Sequence, residues 1–347
     1  MTFKTKTITR RTAIGNIAFG AAGTLAVAHP LQAFGQAVWL DMDQEALNDA
    51  YSQSKNAPNT AQVVARYGTN SDLVRQHLGE PRKFAYGSGD VETLDLYRAD
   101  APDAPVHIFI HGGAWQQGSA EGYAFPAELF VNAGIHYVVP DFSFVQDVGD
   151  SLYPIVDELR RAIAWVYRNA RQFGGDPARI FLSGHSSGAH LAAVMLTTDW
   201  EARGLPDNIL KGGMCCSGMF DLEPVRLSHR GEYIAFTDEM EQDLSPIRHL
   251  DKLHAPVIVA YGSYETREFK RQSEAFASAV AAAGKPVELI VAENYNHFEV
   301  IETLANPHGI LGRAVLAQMA WLDLSPAASA AGQPVSARLR MASTLSA

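Results

Sequence analysis

The sequence predicts an α/β protein, a mostly parallel sheet of eight strands flanked by helices. Short apolar runs rich in β-branched and aromatic residues recur along the chain, and stretches with helical spacing alternate with them. The serine, histidine and acidic residues that stand out fall just after such runs, at the carboxyl ends where parallel sheets place their ligands. With 347 residues, 47% hydrophobic and 19% charged, the chain is long enough to bury a large core.

The elements follow in order. Residues 1–37 read as a twin-arginine export signal. Lys4, Lys6, Arg10 and Arg11 precede a mildly apolar run from Ile14 to Ala28 containing Gly15, Gly20 and Gly23, and Gly35-Gln36-Ala37 offers a small-residue cleavage site. The run is short and interrupted for a spanning helix, so a periplasmic or secreted protein without stable membrane insertion is expected after signal removal. One domain is expected over residues 38–324. Within it, residues 43–79 read as two helices, Gln44 to Ser54 and Thr60 to Leu78, broken at Asn56-Ala57-Pro58-Asn59 and forming a small helical cap. Tyr51 on the first helix either lines a pocket or packs.

Strands are predicted at Lys83 to Tyr86, Thr93 to Tyr97, Val106 to Ile110, His136 to Val139, Arg179 to Leu182, Gly213 to Cys216, Pro256 to Ala260 and Val287 to Val291. Between the fourth and fifth, Ile155, Leu159, Ile163, Val166 and Ala170 mark an amphipathic helix over 155–173. Cys215 and Cys216, side by side in a strand, read as small apolar side chains and not as a disulfide. Residues 325–347 lack an apolar period and read as a disordered tail.

Charge narrows the partners. The chain holds 28 basic and 38 acidic residues, a net −10, and residues 1–37 contain four basic and no acidic ones. An acidic body of this kind is a poor match for nucleic acid. A small-molecule substrate is expected instead.

The chemistry is carried by Gly184-His185-Ser186-Ser187-Gly188, which follows Ile180-Phe181-Leu182 and precedes a run of good helix formers, Ala189 to Leu196. A serine on a sharp strand-to-helix turn needs small neighbours, because side chains on the flanks would strike the strand and helix. Upstream, Val106 to Ile110 runs into His111-Gly112-Gly113-Ala114-Trp115. Acyl transfer through a serine develops an oxyanion, and fixed backbone N–H groups lower that barrier. The donors are assigned to the amides of Gly113, Ala114 and Ser187, and His111 is expected to brace the loop by hydrogen bonding.

A serine hydroxyl needs a histidine to take its proton and a carboxylate to orient that histidine. With the chain order Ser, acid, His, the base is His297 or His308. His297, in the loop after the last strand, is favoured over His308, which sits in a turn before the final helix. For the acid, Glu265 after the seventh strand is the candidate. Glu268, expected to be a solvated helix charge, and Asp221, which fits a loop hydrogen-bonding role, compete with it. His185 and His190 are expected on the helix side of the elbow, packing or bonding locally.

These residues carry a family resemblance. The chain resembles α/β-hydrolase fold enzymes related to kynurenine formamidase (arylformamidase) and, more distantly, the hormone-sensitive-lipase-like carboxylesterases. His111 to Trp115 fits the family's His-Gly-Gly-x-Trp segment, Gly184 to Leu191 its nucleophile segment, Ser217 to Leu222 its Ser-Gly-x-x-Asp-Leu segment, and Asn296-His297-Phe298 its Asp-His-Phe segment. The resemblance spans residues 42–324 and implies that fold, with a cap segment near the site mouth. Two positions depart from the pattern: Glu265 and Asn296 stand where the family usually carries Asp.

The favoured function is a serine hydrolase acting on small carboxylic esters or aryl amides through an acyl-enzyme on Ser186, with no cofactor. The alternative is an arylformamidase acting on N-formyl aromatic amines such as N-formylkynurenine. A non-enzymatic receptor would need a lost catalytic position, and a metal-dependent amidohydrolase would need a ligand cluster such as His-Glu-x-x-His, which the sequence lacks. Trp115, Tyr123, Phe125, Phe142, Phe144, Phe220 and Tyr264 are candidates for an apolar mouth or plain core.

Overall fold

The computed structural model describes residues 36–324. The export signal expected over 1–37 therefore lies outside the described residues except for Gln36 and Ala37, and the tail expected over 325–347 lies outside them entirely.

The described residues hold one sheet of eight strands: β1 (Arg82–Ala85), β2 (Thr93–Tyr97), β3 (Ala104–Ile110), β4 (His136–Pro140), β5 (Gly175–His185), β6 (Leu210–Cys216), β7 (Val257–Gly262) and β8 (Val287–Ala292). Their order is β1-β2-β4-β3-β5-β6-β7-β8, with antiparallel pairing confined to β1–β2 and β2–β4. The other pairings are parallel, as the strand–helix alternation predicts. β5 lies in the middle, with Gly184 opposite Ile110 of β3 on one side and Cys215 of β6 on the other. That register sets the elbow beside the loop that begins at His111.

The helices are α1 (Gln44–Ala50), α2 (Thr60–Leu78), α3 (Ala127–Asn132), α4 (Leu152–Asn169), α5 (Ser187–Leu196), α6 (Glu223–Leu227), α7 (Asp238–Asp243), α8 (Arg267–Ala282), α9 (Glu299–Glu302) and α10 (Ile310–Leu324). Two apolar clusters result. One gathers residues of α1, α4, α5 and α8, and the other residues of α2, α3 and α10. The stripe predicted over 155–173 is buried at all five positions, four of them in α4 and Ala170 in the 3₁₀ turn that follows it. Ser151 caps that helix by accepting from the Tyr153 N–H, and a short 3₁₀ turn carries it to Gly174, whose left-handed φ of 90° ends it. Cys215 and Cys216 are free and buried, as small apolar side chains in a central strand should be. Among the described residues no helix is long and apolar enough to cross a membrane.

The first helix is shorter than expected. It stops at Ala50, and residues 53–56 form a separate 3₁₀ turn. The break has a cause: the Ala50 carbonyl accepts from the Thr266 hydroxyl, and the Gln53 side-chain amide donates to that hydroxyl at 2.9 Å and accepts from the Thr266 N–H at 3.2 Å. Tertiary partners on the far side of the chain outbid the helix's own ladder. Tyr51 is packed in the core, edge-on to Phe269.

Candidate active site

Ser186 sits between the end of β5 and the start of α5 with φ 58° and ψ −124°. A left-handed, non-glycine backbone costs about 1–3 kcal/mol. Packing holds it there. A Cβ on Gly184 would fall 2.1 Å from the Gly188 carbonyl oxygen, and one on Gly188 would fall 2.2 Å from that of Ile110, so the flanking glycines are steric requirements.

Three side chains from separate strand ends meet here. The Ser186 hydroxyl lies 3.0 Å from Nε2 of His297, whose Nδ1 lies 3.0 Å from Oε2 of Glu265. Ser186 is 7% exposed, His297 3% and Glu265 1%. A carboxylate only accepts, so Nδ1 carries the hydrogen and Nε2 is left free to accept from the serine. The other carboxylate oxygen of Glu265 accepts from the Ser217 hydroxyl at 2.6 Å and the Gly262 N–H at 2.7 Å. Phe269 and Phe298 stand edge-on to the His297 ring, at 5.0 and 5.1 Å between centroids. The pair therefore works in an apolar, water-poor setting, where electrostatic interactions are stronger.

The loop after β3 faces the elbow. Gly113 has φ 128°, and a Cβ there would collide with the Gln117 carbonyl at 1.9 Å. Ala114 and Trp115 follow with φ 57° and 61°. The Trp115 N–H donates to the Ser187 hydroxyl at 3.3 Å and its carbonyl accepts from Val145 at 2.8 Å, so the strained turn is tied at both ends. The N–H groups of Gly113 and Ala114 have no partner among the described residues, and that of Ser187, first in α5, has no intrahelical acceptor. Among the described residues the His111 ring bonds only its neighbour's carbonyl, Gly112, at 2.9 Å, and it braces the loop chiefly by stacking on Phe142 at 4.3 Å. Burial holds its imidazole neutral, down to about 4.

The competing residues lie elsewhere. His308 is exposed in the turn before α10. Asp221 pairs with Arg248 at 2.9 Å. Glu268, expected to be solvated, is instead 0% exposed, held by Arg271 at 2.7 Å and by the Tyr51 hydroxyl. It sits on the inner face of α8, a placement that no single-residue polarity scale reveals. His185 also departs from expectation. It is the last residue of β5, and its Nε2 lies 2.8 Å from the His297 carbonyl oxygen. His190 bonds the Leu244 carbonyl at 2.8 Å.

Of the candidate mouth aromatics, Trp115, Phe125, Phe142 and Phe220 are core residues, whereas Tyr264 is exposed. The residue that sequence reasoning passed over is Ser217. It is wholly buried at the end of β6 with φ 60°, and its only outward signal is membership of the Ser217 to Leu222 segment. Asn296, the other departure from the family pattern, is turned to a structural task. It holds the turn leading into α9 by accepting from the N–H groups of Phe298 and Glu299, and its amide donates to Asn59 at 2.9 Å.

Comparison with known proteins places the chain in a family. The family described as BD-FAE matches residues 94–213. Over 291 residues the chain is 30% identical to kynurenine formamidase of Danio rerio, covering 80% of this chain and 97% of that protein. The chain belongs to the kynurenine formamidase family. Members of this family are α/β-hydrolases, and this protein is a hydrolase of that fold. It is also similar to esterase LipC of Mycobacterium tuberculosis, 29% identical over 233 residues that cover 59% of this chain and 56% of that one. A Pyrobaculum calidifontis esterase structure shares the fold, with a TM-score of 0.61 at 20% identity, covering 80% of this chain and 98% of that one.

Proposed function

We propose that the protein is a serine hydrolase that cleaves small carboxylic esters or aryl amides through an acyl-enzyme on Ser186. The observation that carries this is the line Glu265–His297–Ser186, two successive contacts of 3.0 Å ending on a serine in a strained turn. His297 takes the hydroxyl proton as Ser186 attacks the substrate carbonyl. Glu265 holds the ring in the tautomer that can accept and stabilises the imidazolium that forms. The tetrahedral oxyanion is met by the N–H groups of Gly113, Ala114 and Ser187, each donor of this kind contributing about 3–4 kcal/mol to the barrier. His297 then returns the proton to the leaving group, and water repeats the cycle on the acyl-enzyme.

A narrower reading, an arylformamidase acting on N-formyl aromatic amines, is supported by the similarity to the fish kynurenine formamidase along nearly its whole length. The experiment is a rate comparison on purified protein between p-nitrophenyl esters of rising chain length and N-formylkynurenine, with Ser186→Ala and His297→Ala as controls. Turnover surviving in Ser186→Ala overturns the serine mechanism, and a chelator that abolishes turnover overturns the metal-free one. A strong preference for the formyl amide selects the narrower reading.

Export belongs to the same proposal and rests on the Arg10-Arg11 signal. Cell fractionation with R10K/R11K checks it: the wild type should reach the periplasm or medium, and the double variant should stay in the cytoplasm.

A further inference from the structure

We propose that His185 is a positioning residue for the reaction, fixing the main chain of the base relative to the nucleophile. The inference rests on the serine-hydrolase reading above and concerns a residue with no role in proton transfer there.

The problem it solves is one of reach. Ser186 follows the central strand β5, whereas His297 lies beyond the edge strand β8, with β6 and β7 between them. At about 4.8 Å per strand spacing, the base loop must come back across roughly 14 Å of sheet. The contacts of the His297 ring with Ser186 and Glu265 set where the imidazole points, but they do not set how close its backbone stands to β5. Among the described residues, one hydrogen bond besides the Ser186–His297 contact joins the elbow to the base loop. It runs from His185 Nε2 to the His297 carbonyl oxygen, 2.8 Å long. A carbonyl only accepts, so Nε2 carries the hydrogen.

The setting makes that bond stiff. His185 is buried, and its ring lies 4.8 Å from the His297 ring at an angle of 39°. Its Nδ1 has no partner among the described residues and faces Gly112, where a Cβ would stand 3.4 Å from Nδ1 and 2.8 Å from the His185 carbonyl oxygen. One side chain thus touches the base loop and the oxyanion loop while its own backbone carries the nucleophile. Burial and the neighbouring His297 both keep the His185 imidazole neutral, which suits a ring that must donate one hydrogen and never compete for a second.

The test compares H185Q, whose amide offers an N–H at similar reach, with H185F, which keeps an aromatic ring but has no donor. H185F should fold with a melting temperature near wild type and lose ~10- to 100-fold in kcat, the scale of a small misplacement of a reacting group, with KM within about twofold of wild type. H185Q should recover most of that loss. Stoichiometric labelling of Ser186 by a p-nitrophenyl phosphonate should be complete in both but slow in H185F. The inference is overturned if H185F keeps wild-type kcat, if H185Q is as impaired as H185F, or if activity falls only in step with the folded fraction. If H185F does not fold, H185N replaces it. Its shorter side chain misses the carbonyl, so an active H185Q beside an impaired H185N supports the inference, and equal activities overturn it. Turnover that survives Ser186→Ala would instead sink the serine-hydrolase reading itself.

Discussion

The Ser217 hydroxyl lies 2.6 Å from Oε1 of Glu265, deep in the protein, on a residue held at φ 60°. A left-handed serine is costly, and a buried carboxylate is costlier still when its acceptors go unfilled. Ser217→Ala should therefore lose a charge-assisted hydrogen bond of about 1.5–3 kcal/mol and about tenfold or more in kcat/KM. Ser217→Gly should lose the same activity with a smaller fall in melting temperature, because glycine accepts the backbone angle. Equal, wild-type kinetics in both variants would refute this.

The loop after β3 is predicted to be intolerant of a methyl group. In Gly113→Ala the new Cβ meets the Gln117 carbonyl at 1.9 Å with φ at 128°, so the turn must reshape and its N–H groups must turn away. A fall of about 10²–10³ in kcat, the size of one lost oxyanion donor, is expected at little change in KM. Steady-state kinetics beside circular dichroism will separate that from unfolding.

Acid should weaken the fold through its buried histidines. His107, His111 and His190 are held neutral by burial, down to about 3, 4 and 4 from an ordinary 6.5. Between those values the unfolded chain binds protons that the folded chain refuses. Stability therefore rises with pH across this window and is lost as pH falls below about 6.5, by about 1.4 kcal/mol per pH unit for each group. Urea midpoints measured from pH 7 to 4.5 will show the slope. His107, stacked on Phe130 at 4.1 Å with both ring nitrogens unpartnered among the described residues, gives the control. His107→Phe should flatten the slope and raise stability at pH 5, and an unchanged slope would remove His107 from the account.

Asn296→Asp installs the residue that the family resemblance implies and loses the donor to Asn59, yet should leave ester turnover within about twofold, since aspartate accepts from the Phe298 and Glu299 N–H groups as asparagine does. Its side chain is occupied by α9 and Asn59 and takes no part in the Ser186 contacts. A large change in the ratio of formamide to ester turnover would assign it a role in specificity instead.

Much of this architecture is legible in the letters, because strands and elbows obey local rules. Thr93 to Tyr97 and Thr60 to Leu78 begin and end where the pattern says, since their boundaries are set by neighbouring turn residues. β5 extends beyond its predicted bounds at both ends, as pairing with β3 and β6 carries strand geometry past the apolar run. The three side chains that meet at Ser186 stand in the linear order Ser, acid, His at strand ends, a regularity that survives translation into one dimension. What escapes is tertiary. The end of α1 at Ala50, the burial of Glu268 against Tyr51 and the turn of Asn296 toward Asn59 each depend on a partner some 200 residues away. Ser217 escapes for another reason: nothing in a serine after two cysteines announces that its hydroxyl will meet a carboxylate.

Residues 50–59 reach the turns that follow β7 and β8 through Thr266 and Asn296, joining chain positions separated by 216 and 237 residues. Such distant closures form late, since loop entropy must be overcome before they repay it. A ribosome-bound chain therefore holds Ser186 long before it holds the turns that aim His297 and Glu265. Hydrolytic competence should accordingly be the last property acquired during synthesis, and its appearance a signal that the whole sheet has closed.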